Sequence, residues 1–187
     1  MRAEISELHR DLKTTFIYVT HDQAEALTMS DRMAVMMDGE ILQLDTPHEI
    51  YNNPSTIRVA EFVGSPKIKI LNGEYDEKGN LNCFGTKITD TIKLAQKGNV
   101  SVGIRPEHME LVSSKDKNVF KGKIVYRENL GSDIFFHLTV NEGEQKMIVR
   151  SEPSKVINTS VGDQVFIGWN EQKVMVFDID GKNITMQ

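Results

Sequence analysis

The chain has 187 residues, of which 39% are hydrophobic and 26% are charged, and its formal net charge is −5 at pH 7. This length accommodates one large domain or two small ones, and the composition is ordinary for a globular protein. The longest apolar run, residues 33–37, is far shorter than the roughly 20 residues of a membrane-spanning helix, so the sequence predicts no such helix.

Charge is distributed unevenly along the chain. Residues 1–65 contain 5 basic and 11 acidic side chains, whereas residues 66–187 contain 17 basic and 16 acidic ones. The near-neutral second part lacks the basic excess that binding to phosphates requires, so we expect no nucleic-acid partner. The charged N-terminus is unlike a secretory signal, and the single cysteine, Cys83, cannot form an internal disulfide. Both features predict a cytoplasmic protein.

The first part of the chain alternates helical and strand patterns. Ile5, Leu8 and Leu12 have the spacing of one helix face, which predicts a helix over residues 2–12. Residues 16–19 form a β-branched and aromatic run, typical of a strand covered on both faces in a parallel sheet. Good helix formers follow from Asp22 onward. The predicted unit is therefore a strand, a polar corner and a helix.

A hairpin and two short helices are predicted next. Asp38 and Gly39 suit the positive φ angles of a tight turn between residues 32–37 and 40–44. Residues 46–49 provide a capping threonine, a proline at the first helical position and a glutamate, which predicts a short helix to about Tyr51. A second helix start at Asn53 and Pro54 is followed by the stop residues Gly64 and Pro66. The predicted domain boundary is Ser65.

Beyond Pro66 the pattern changes to short alternating strands separated by turn residues. This spacing predicts an all-β domain, either a small barrel or a sandwich. The predicted strands are residues 68–74, 81–84, 100–105, 119–126, 134–140, 146–150, 164–169 and 173–178.

His21 is the main candidate functional residue. It follows the predicted buried strand and precedes a helix, which is where open α/β sheets bind ligands. An imidazole at this position can donate a hydrogen bond to a terminal phosphate or hold a water, but without a metal or a carboxylate base it cannot hydrolyse a phosphate ester. On position alone, a structural polar cap explains this histidine equally well.

The other candidates favour structural roles. The remaining histidines lack the spacing that gathers metal ligands on one helix face; they are His9, His48, His108 and His137. Gly98 and Gly103 have the spacing of phosphate-loop glycines, but Ile104 and Arg105 replace the Lys-Ser/Thr pair that such a loop needs.

Two further groups of side chains have both a structural and a functional interpretation. Six aromatic residues could stack on bases, yet they lie in alternating strand patterns, which favours packing in the core. Arg105 and Glu107 flank a proline, and we favour an ion pair that fixes a barrel corner over a regulatory contact. The six aromatic residues are Phe120, Tyr126, Phe135, Phe166, Trp169 and Phe177.

Several of these segments together resemble one known family. Residues 18–27, YVTHDQAEAL, with Asp31 and Arg32, resemble the switch-histidine region of ABC importer ATPases of the maltose and multiple-sugar class. Residues 38–41, 46–54 and 59–66 are similar to the segments that follow in that family, and residues 103–108, GIRPEH, resemble a motif of its C-terminal regulatory domain. Asp45, where glycine is more usual, and Lys69, where asparagine is frequent, leave the transport subclass open.

The resemblance implies a fold and a function. Residues 1–65 would be an α/β remnant of a P-loop NTPase domain, and residues 66–187 an all-β regulatory domain of OB-fold-type barrels, TOBE- or MOP-like. The chain would be the C-terminal part of the ATP-hydrolysing subunit of an ABC importer for sugars or related solutes. His21 would contact the terminal phosphate of ATP, which the complete subunit would bind with magnesium between two copies.

The resemblance also implies partners and a limit to activity. The partners would be a second copy of the subunit, the membrane-spanning subunits and a regulatory protein, at the inner face of the plasma membrane. The sequence contains no phosphate loop, no ABC signature motif and no acidic strand end for magnesium. The chain alone is therefore expected to be inactive and to hold neither ATP nor a metal tightly, because that machinery would lie upstream.

Two rival functions remain open at this point. One is a stand-alone β-barrel module that binds a ligand or an oxyanion. The other is an RNA-binding barrel, which rests on fold type alone and is opposed by the charge distribution. If residues 1–65 are the edge of a larger sheet, we also expect them to expose apolar surface when isolated.

Overall fold

The computed structural model describes residues 2–94, 97–112, 118–155 and 159–185. The chain divides into two compact units, Met1–Gly64 and Ser65–Gln187. Within the described ranges, no helix combines the length and the apolarity needed to cross a bilayer.

The first unit consists of four helices and a β-hairpin. Each of the last three helices begins at a polar N-cap side chain that accepts from backbone N–H groups of the first turn: Asp22, Thr46 and Thr56. The predicted helix over residues 2–12 and the proline-led helix are confirmed. The elements are α1 Arg2–Leu12, α2 Gln23–Met29, β1 Met33–Met37, β2 Glu40–Asp45, α3 Pro47–Asn52 and α4 Ile57–Phe62.

The hairpin turns where the sequence predicted. Strands β1 and β2 pair antiparallel, and the two turn residues have positive φ angles of 53° at Asp38 and 83° at Gly39. One face of β1 packs on the helices, because Met33 and Val35 are buried with residues of α3 and α4. The buried core of this unit contains Met33, Val35, Ile50, Val59 and Val63.

The predicted strand at residues 16–19 is wrong. These residues pair with no other strand in the described part of the unit, and Ile17 and Val19 are each 91% exposed. A strand needs a hydrogen-bonding neighbour, and β1 and β2 pair only with each other. The described residues of this unit therefore form helices and an antiparallel hairpin, without the parallel sheet of a P-loop fold.

The second unit is all-β, as predicted. In the described part of this unit, ten strands form two five-stranded sheets in which every pair of neighbouring strands is antiparallel. The strand orders are β10-β9-β8-β11-β7 and β12-β6-β3-β4-β5. The strands are β3 Lys69–Tyr75, β4 Leu81–Cys83, β5 Thr86–Thr89, β6 Gly98–Ile104, β7 Met109–Val112, β8 Phe120–Asn129, β9 Ile134–Val140, β10 Gln145–Ser151, β11 Gln164–Trp169 and β12 Met175–Phe177. Short 3₁₀ turns cover Pro106–His108, Asn141–Gly143, Pro153–Lys155 and Glu171–Lys173.

The two sheets of this unit enclose one hydrophobic core. The side chain of Trp169, on one sheet, donates from Nε1 to the carbonyl oxygen of Ile88, on the other, at 2.9 Å, and its ring lies 4.7 Å from that of Phe120. All eight predicted strands have counterparts, but β5 and β7 were not predicted. Neither alternates strictly between buried and exposed positions along its four residues, so no two-residue period marked it in the sequence.

The prediction that the six aromatic side chains pack in the core is correct for Phe120, Trp169 and Phe177. It is wrong for Tyr126, and the half-buried Phe135 and Phe166 lie outside the core cluster. Phe120 and Phe177 are buried, whereas Tyr126 is 56% exposed. The register of β8 shifts between Ile124 and Tyr126, so the alternation of faces is interrupted there. The outward position of Tyr126 follows from this bulge, which the sequence pattern did not reveal.

Candidate functional site

His21 lies in a bend that immediately precedes α2, and it is exposed. The predicted sheet edge behind it does not form, because residues 16–19 are not a strand in this structure. The predicted helix after it does form, from Gln23. None of the hydrogen bonds or ion pairs found in the described ranges involves the His21 side chain, so the imidazole is accessible to a ligand.

The residues on both sides of His21 hold the bend in place. The Asp22 carboxylate accepts hydrogen bonds from the backbone N–H of Ala24 at 2.8 Å and of Glu25 at 3.2 Å. The backbone N–H of Asp22 in turn donates to the hydroxyl of Thr20 at 3.0 Å. This is N-capping by aspartate together with a hydroxyl turn. His21 is therefore fixed between two residues that are themselves anchored.

Glu25 links the bend to the chain before it. Its carboxylate oxygen Oε2 accepts from the Thr20 hydroxyl at 2.7 Å and from the Tyr18 hydroxyl at 3.1 Å. The side chains of Thr20, Asp22 and Glu25 thus form a connected polar network with the backbone on both sides of His21. The His21 side chain itself is exposed. An imidazole on such a support can present a ring N–H to an oxyanion without a large ordering cost.

Gln23 connects this network to the end of the unit. Its side-chain Nε2 donates to the carbonyl oxygen of Phe62, and its Oε1 accepts from the backbone N–H of Gly64 at 2.9 Å. Phe62 is the last residue of α4, and Gly64 is the last residue of the first unit. The start of α2 is therefore tied to the point where the chain leaves this unit.

The GIRPEH motif of residues 103–108 lies inside the second unit. Arg105 is only 1% exposed and precedes the 3₁₀ turn Pro106–His108. Burial lowers the pKa of His108 from its ordinary value, the neighbouring Glu107 charge opposes this shift, and Lys173 and Arg105 reinforce it. The ion pair between Arg105 and Glu107 stays a prediction. The deep burial of Arg105 favours a structural role, since a partner protein cannot reach it directly.

The two glycines with phosphate-loop spacing are confirmed to be unrelated to such a loop. Gly98 and Gly103 are the first and sixth residues of β6. A Cβ atom on Gly103 would lie 2.9 Å from a methyl of Ile68 and 3.0 Å from the ring of Phe177. This glycine is needed because side chains on and beside the neighbouring strands β12 and β3 of the same sheet fill the space at its Cα, not because a phosphate approaches the backbone.

The remaining histidines lie on four different elements: His9 in α1, His48 in α3, His108 in a 3₁₀ turn and His137 in β9. His48 lies 3.4 Å from Glu49 on the surface of α3, and His137 lies 3.8 Å from Glu128 beside the ring of Tyr126. His9 contacts the ring of Phe16. Across the residues that the structure describes, no group of three or more histidine, cysteine, aspartate or glutamate side chains could hold a metal ion.

Sequence reasoning named His21 as a candidate but did not name the residues whose hydrogen bonds hold its bend. The cap by Asp22 could have been found from its place immediately before a run of helix formers. The contacts of Gln23 could not, because its partners lie 39 and 41 residues away in the sequence.

Comparisons with known proteins agree with one another. Residues 102–177 match the family described as the TOBE domain. Over 190 residues the chain is 38% identical to the oligosaccharides import ATP-binding protein MsmX of Bacillus subtilis, covering 95% of this chain and 51% of that protein. It is 34% identical over 186 residues to the sn-glycerol-3-phosphate import ATP-binding protein UgpC of Psychromonas ingrahamii, covering 96% of this chain and 48% of that protein.

A third relative has no assigned solute. The chain is 37% identical over 194 residues to the uncharacterized ABC transporter ATP-binding protein YurJ of Bacillus subtilis, covering 96% of this chain and 52% of that protein. The chain thus spans about half the length of these curated relatives. Among solved structures, the cytoplasmic molybdate-binding protein ModG aligns with a TM-score of 0.44 at 12% identity over 58% of this chain and 94% of that chain, a similarity that carries no argument.

Proposed function

We propose that the chain works as the C-terminal part of an importer's ATP-hydrolysing subunit, because it is similar to ABC importer ATP-binding proteins over 95 to 96% of its length and matches the TOBE domain family over residues 102–177. Its solute would be a sugar or a related compound, since two relatives are named for oligosaccharides and sn-glycerol 3-phosphate. Residues 1–65 would complete the ATPase domain, and residues 66–187 would be the regulatory domain.

The observation that supports this proposal most strongly is the continuity of the match. The relatives align over 95 to 96% of the chain, so both units are included and not the β-domain alone. The alternative of a stand-alone oxyanion-binding barrel does not account for the first unit, Met1–Gly64. The exposed residues 16–19 support the same proposal, because a β-branched and aromatic run of this kind is suited to burial between strands of a larger sheet.

In this function His21 would sense the terminal phosphate of ATP. The imidazole is exposed and held by its neighbours, and it carries the ring N–H that an oxyanion accepts. A contact made to ATP but not to ADP gives the two nucleotides different affinities for one conformation, which is what drives a conformational cycle. ATP bound in the complete subunit supplies the phosphoryl group that is transferred to water. His21 would hold a hydrogen bond to that group as negative charge develops on it.

Magnesium does not fit the residues that the structure describes. These residues contain no group of three or more histidine, cysteine, aspartate or glutamate side chains that could hold a metal ion. We therefore derive no step through a metal for this chain, and a metal that accompanies ATP would be held by the upstream part of the subunit. The proposed partners are a second copy of the subunit, the membrane-spanning subunits and a regulatory protein, which would place the complete assembly at the cytoplasmic face of the membrane.

The proposal can be tested on the chain itself. Sedimentation equilibrium over a range of concentrations would be combined with titrations of ATP and, separately, of molybdate in the same buffer. We expect a dimer that binds neither ligand tightly. A monomer that binds molybdate would instead support the oxyanion-binding module, and magnesium-dependent ATP turnover by the chain alone would contradict the assignment of the phosphate-binding machinery to an upstream part.

A further inference from the structure

The Gln23 side chain joins the start of α2 to the junction between the two units. It is part-buried and makes a donor contact to the Phe62 carbonyl oxygen and an acceptor contact from the Gly64 N–H at 2.9 Å. A primary amide is the side-chain group that offers a donor and an acceptor side by side. The pair of contacts fixes both the position and the orientation of the amide.

The two backbone groups that contact Gln23 lie at the end of the first unit, next to the boundary at Ser65. Gly64 is buried and has a φ angle of 117°, in the region that favours glycine. Ser65, the next residue, begins the second unit. A displacement of the chain that moves the Gly64 N–H or the Phe62 carbonyl oxygen therefore acts directly on the Gln23 amide.

The other end of Gln23 leads to His21. Gln23 is the first residue of α2, and the Asp22 carboxylate caps that helix at 2.8 and 3.2 Å. Asp22 is bonded in turn to the Thr20 hydroxyl at 3.0 Å. His21 lies between these two hydrogen-bonded residues. A shift of the start of α2 is therefore expected to move His21 as well.

We propose that Gln23 is a positioning residue that couples the interdomain junction at Phe62 and Gly64 to the position of His21. This inference rests on the proposed role of His21 in sensing a phosphate. A displacement of the chain where the second unit begins would reach His21 along the backbone to Gly64 and Phe62 and then through the Gln23 side chain. Its test requires no nucleotide, so its failure can be distinguished from a failure of the proposed function.

The experiment perturbs the junction and observes His21 by NMR in the full chain. Gly64→Ala strains the junction, because alanine is disfavoured at this positive φ. The matched control is Gly39→Ala, which also places alanine at a positive φ, 83°, in the same unit, at the turn of the hairpin. The signal is the Cε1–Hε1 resonance of the His21 ring. Each junction variant is compared with Gln23 present and with Gln23→Ala, as a double-mutant cycle.

We expect Gly64→Ala to shift the His21 resonance, Gly39→Ala to leave it in place, and Gln23→Ala to abolish the effect of Gly64→Ala. Gln23→Ala alone should raise amide exchange at Gly64 roughly fivefold, because it removes the hydrogen-bond acceptor. If Gln23 has only a structural role, Gln23→Ala should raise amide exchange at Gly64, but Gly64→Ala should not shift the His21 resonance. If Gln23→Ala does not fold by circular dichroism, Gln23→Met, which removes both the donor and the acceptor but keeps the length of the side chain, replaces it. A His21 shift that persists without Gln23, or that never appears, overturns the proposal.

Discussion

Replacing Asp22 by alanine should loosen the segment that carries His21 without unfolding the protein. Asp22→Ala removes the carboxylate that accepts from Ala24 and Glu25 at 2.8 and 3.2 Å. Loss of an aspartate N-cap costs about 1 kcal/mol, which corresponds to a roughly fivefold increase in local opening. Helix α2 has only seven residues and none of them is fully buried, so this cost falls on the helix itself and not on the core of the unit.

The assay is amide hydrogen exchange of Ala24 and Glu25 measured by NMR, with thermal unfolding as the check on global stability. Asp22→Asn is the matched control, because asparagine caps helices about as well as aspartate. We expect roughly fivefold faster exchange in Asp22→Ala and nearly unchanged exchange in Asp22→Asn. Equal exchange in the two variants would refute the cap as the support of His21.

Three further predictions concern the two units. Trp169→Phe removes the donor to the buried Ile88 carbonyl and should lower the free energy of unfolding by about 1–3 kcal/mol in urea titrations, whereas Tyr126→Phe, at a position 56% exposed, should change it by less than about 0.5 kcal/mol. Hydrogen bonds from Asn80 and neighbouring groups lower the pKa of Asp76 to about 2, so the stabilising effect of its carboxylate is present above the ordinary carboxyl pKa and is lost as pH falls toward 2. The difference in free energy of unfolding between wild type and Asp76→Ala should therefore shrink over that pH range. A difference that stays constant would contradict these hydrogen bonds as the cause of the lowered pKa. Ile17→Lys, at a side chain 91% exposed, should leave the thermal midpoint of the chain unchanged but prevent its assembly with an ATP-binding half in a pull-down; a large drop in the midpoint would show that residue 17 is buried in solution.

The sequence was most informative where local chemistry decides the structure. The turn at Asp38 and Gly39 and the proline-led helix depend on a few neighbouring residues, and both are confirmed. The eight predicted strands of the second unit follow from alternation along each strand, which the sheet preserves. Strands β5 and β7 were missed because their buried and exposed residues do not alternate.

The failures occurred where structure depends on residues far away. Residues 16–19 have the composition of a buried strand, but a strand also needs a neighbouring strand, and the described part of the first unit provides none. The alternating pattern predicts that Tyr126 faces the core, but the bulge in β8 places it on the exposed face. The contacts of Gln23 to Phe62 and Gly64 join segments about forty residues apart, and no local pattern indicates such a contact.

A chimaera between this chain and a complete relative shows whether His21 acts in ATP hydrolysis. The matched C-terminal region of MsmX from Bacillus subtilis would be replaced by this chain, and the purified chimaera would be assayed for ATP hydrolysis with His21 and with His21→Ala. Our account predicts a chimaera that hydrolyses ATP and a His21→Ala variant, equally folded by circular dichroism, that loses at least about a hundredfold in rate, the scale on which removing one hydrogen-bond donor to a developing oxyanion acts. A folded chimaera without activity, or a His21→Ala variant as active as its parent, would contradict the claim that this chain completes an importer ATPase through His21.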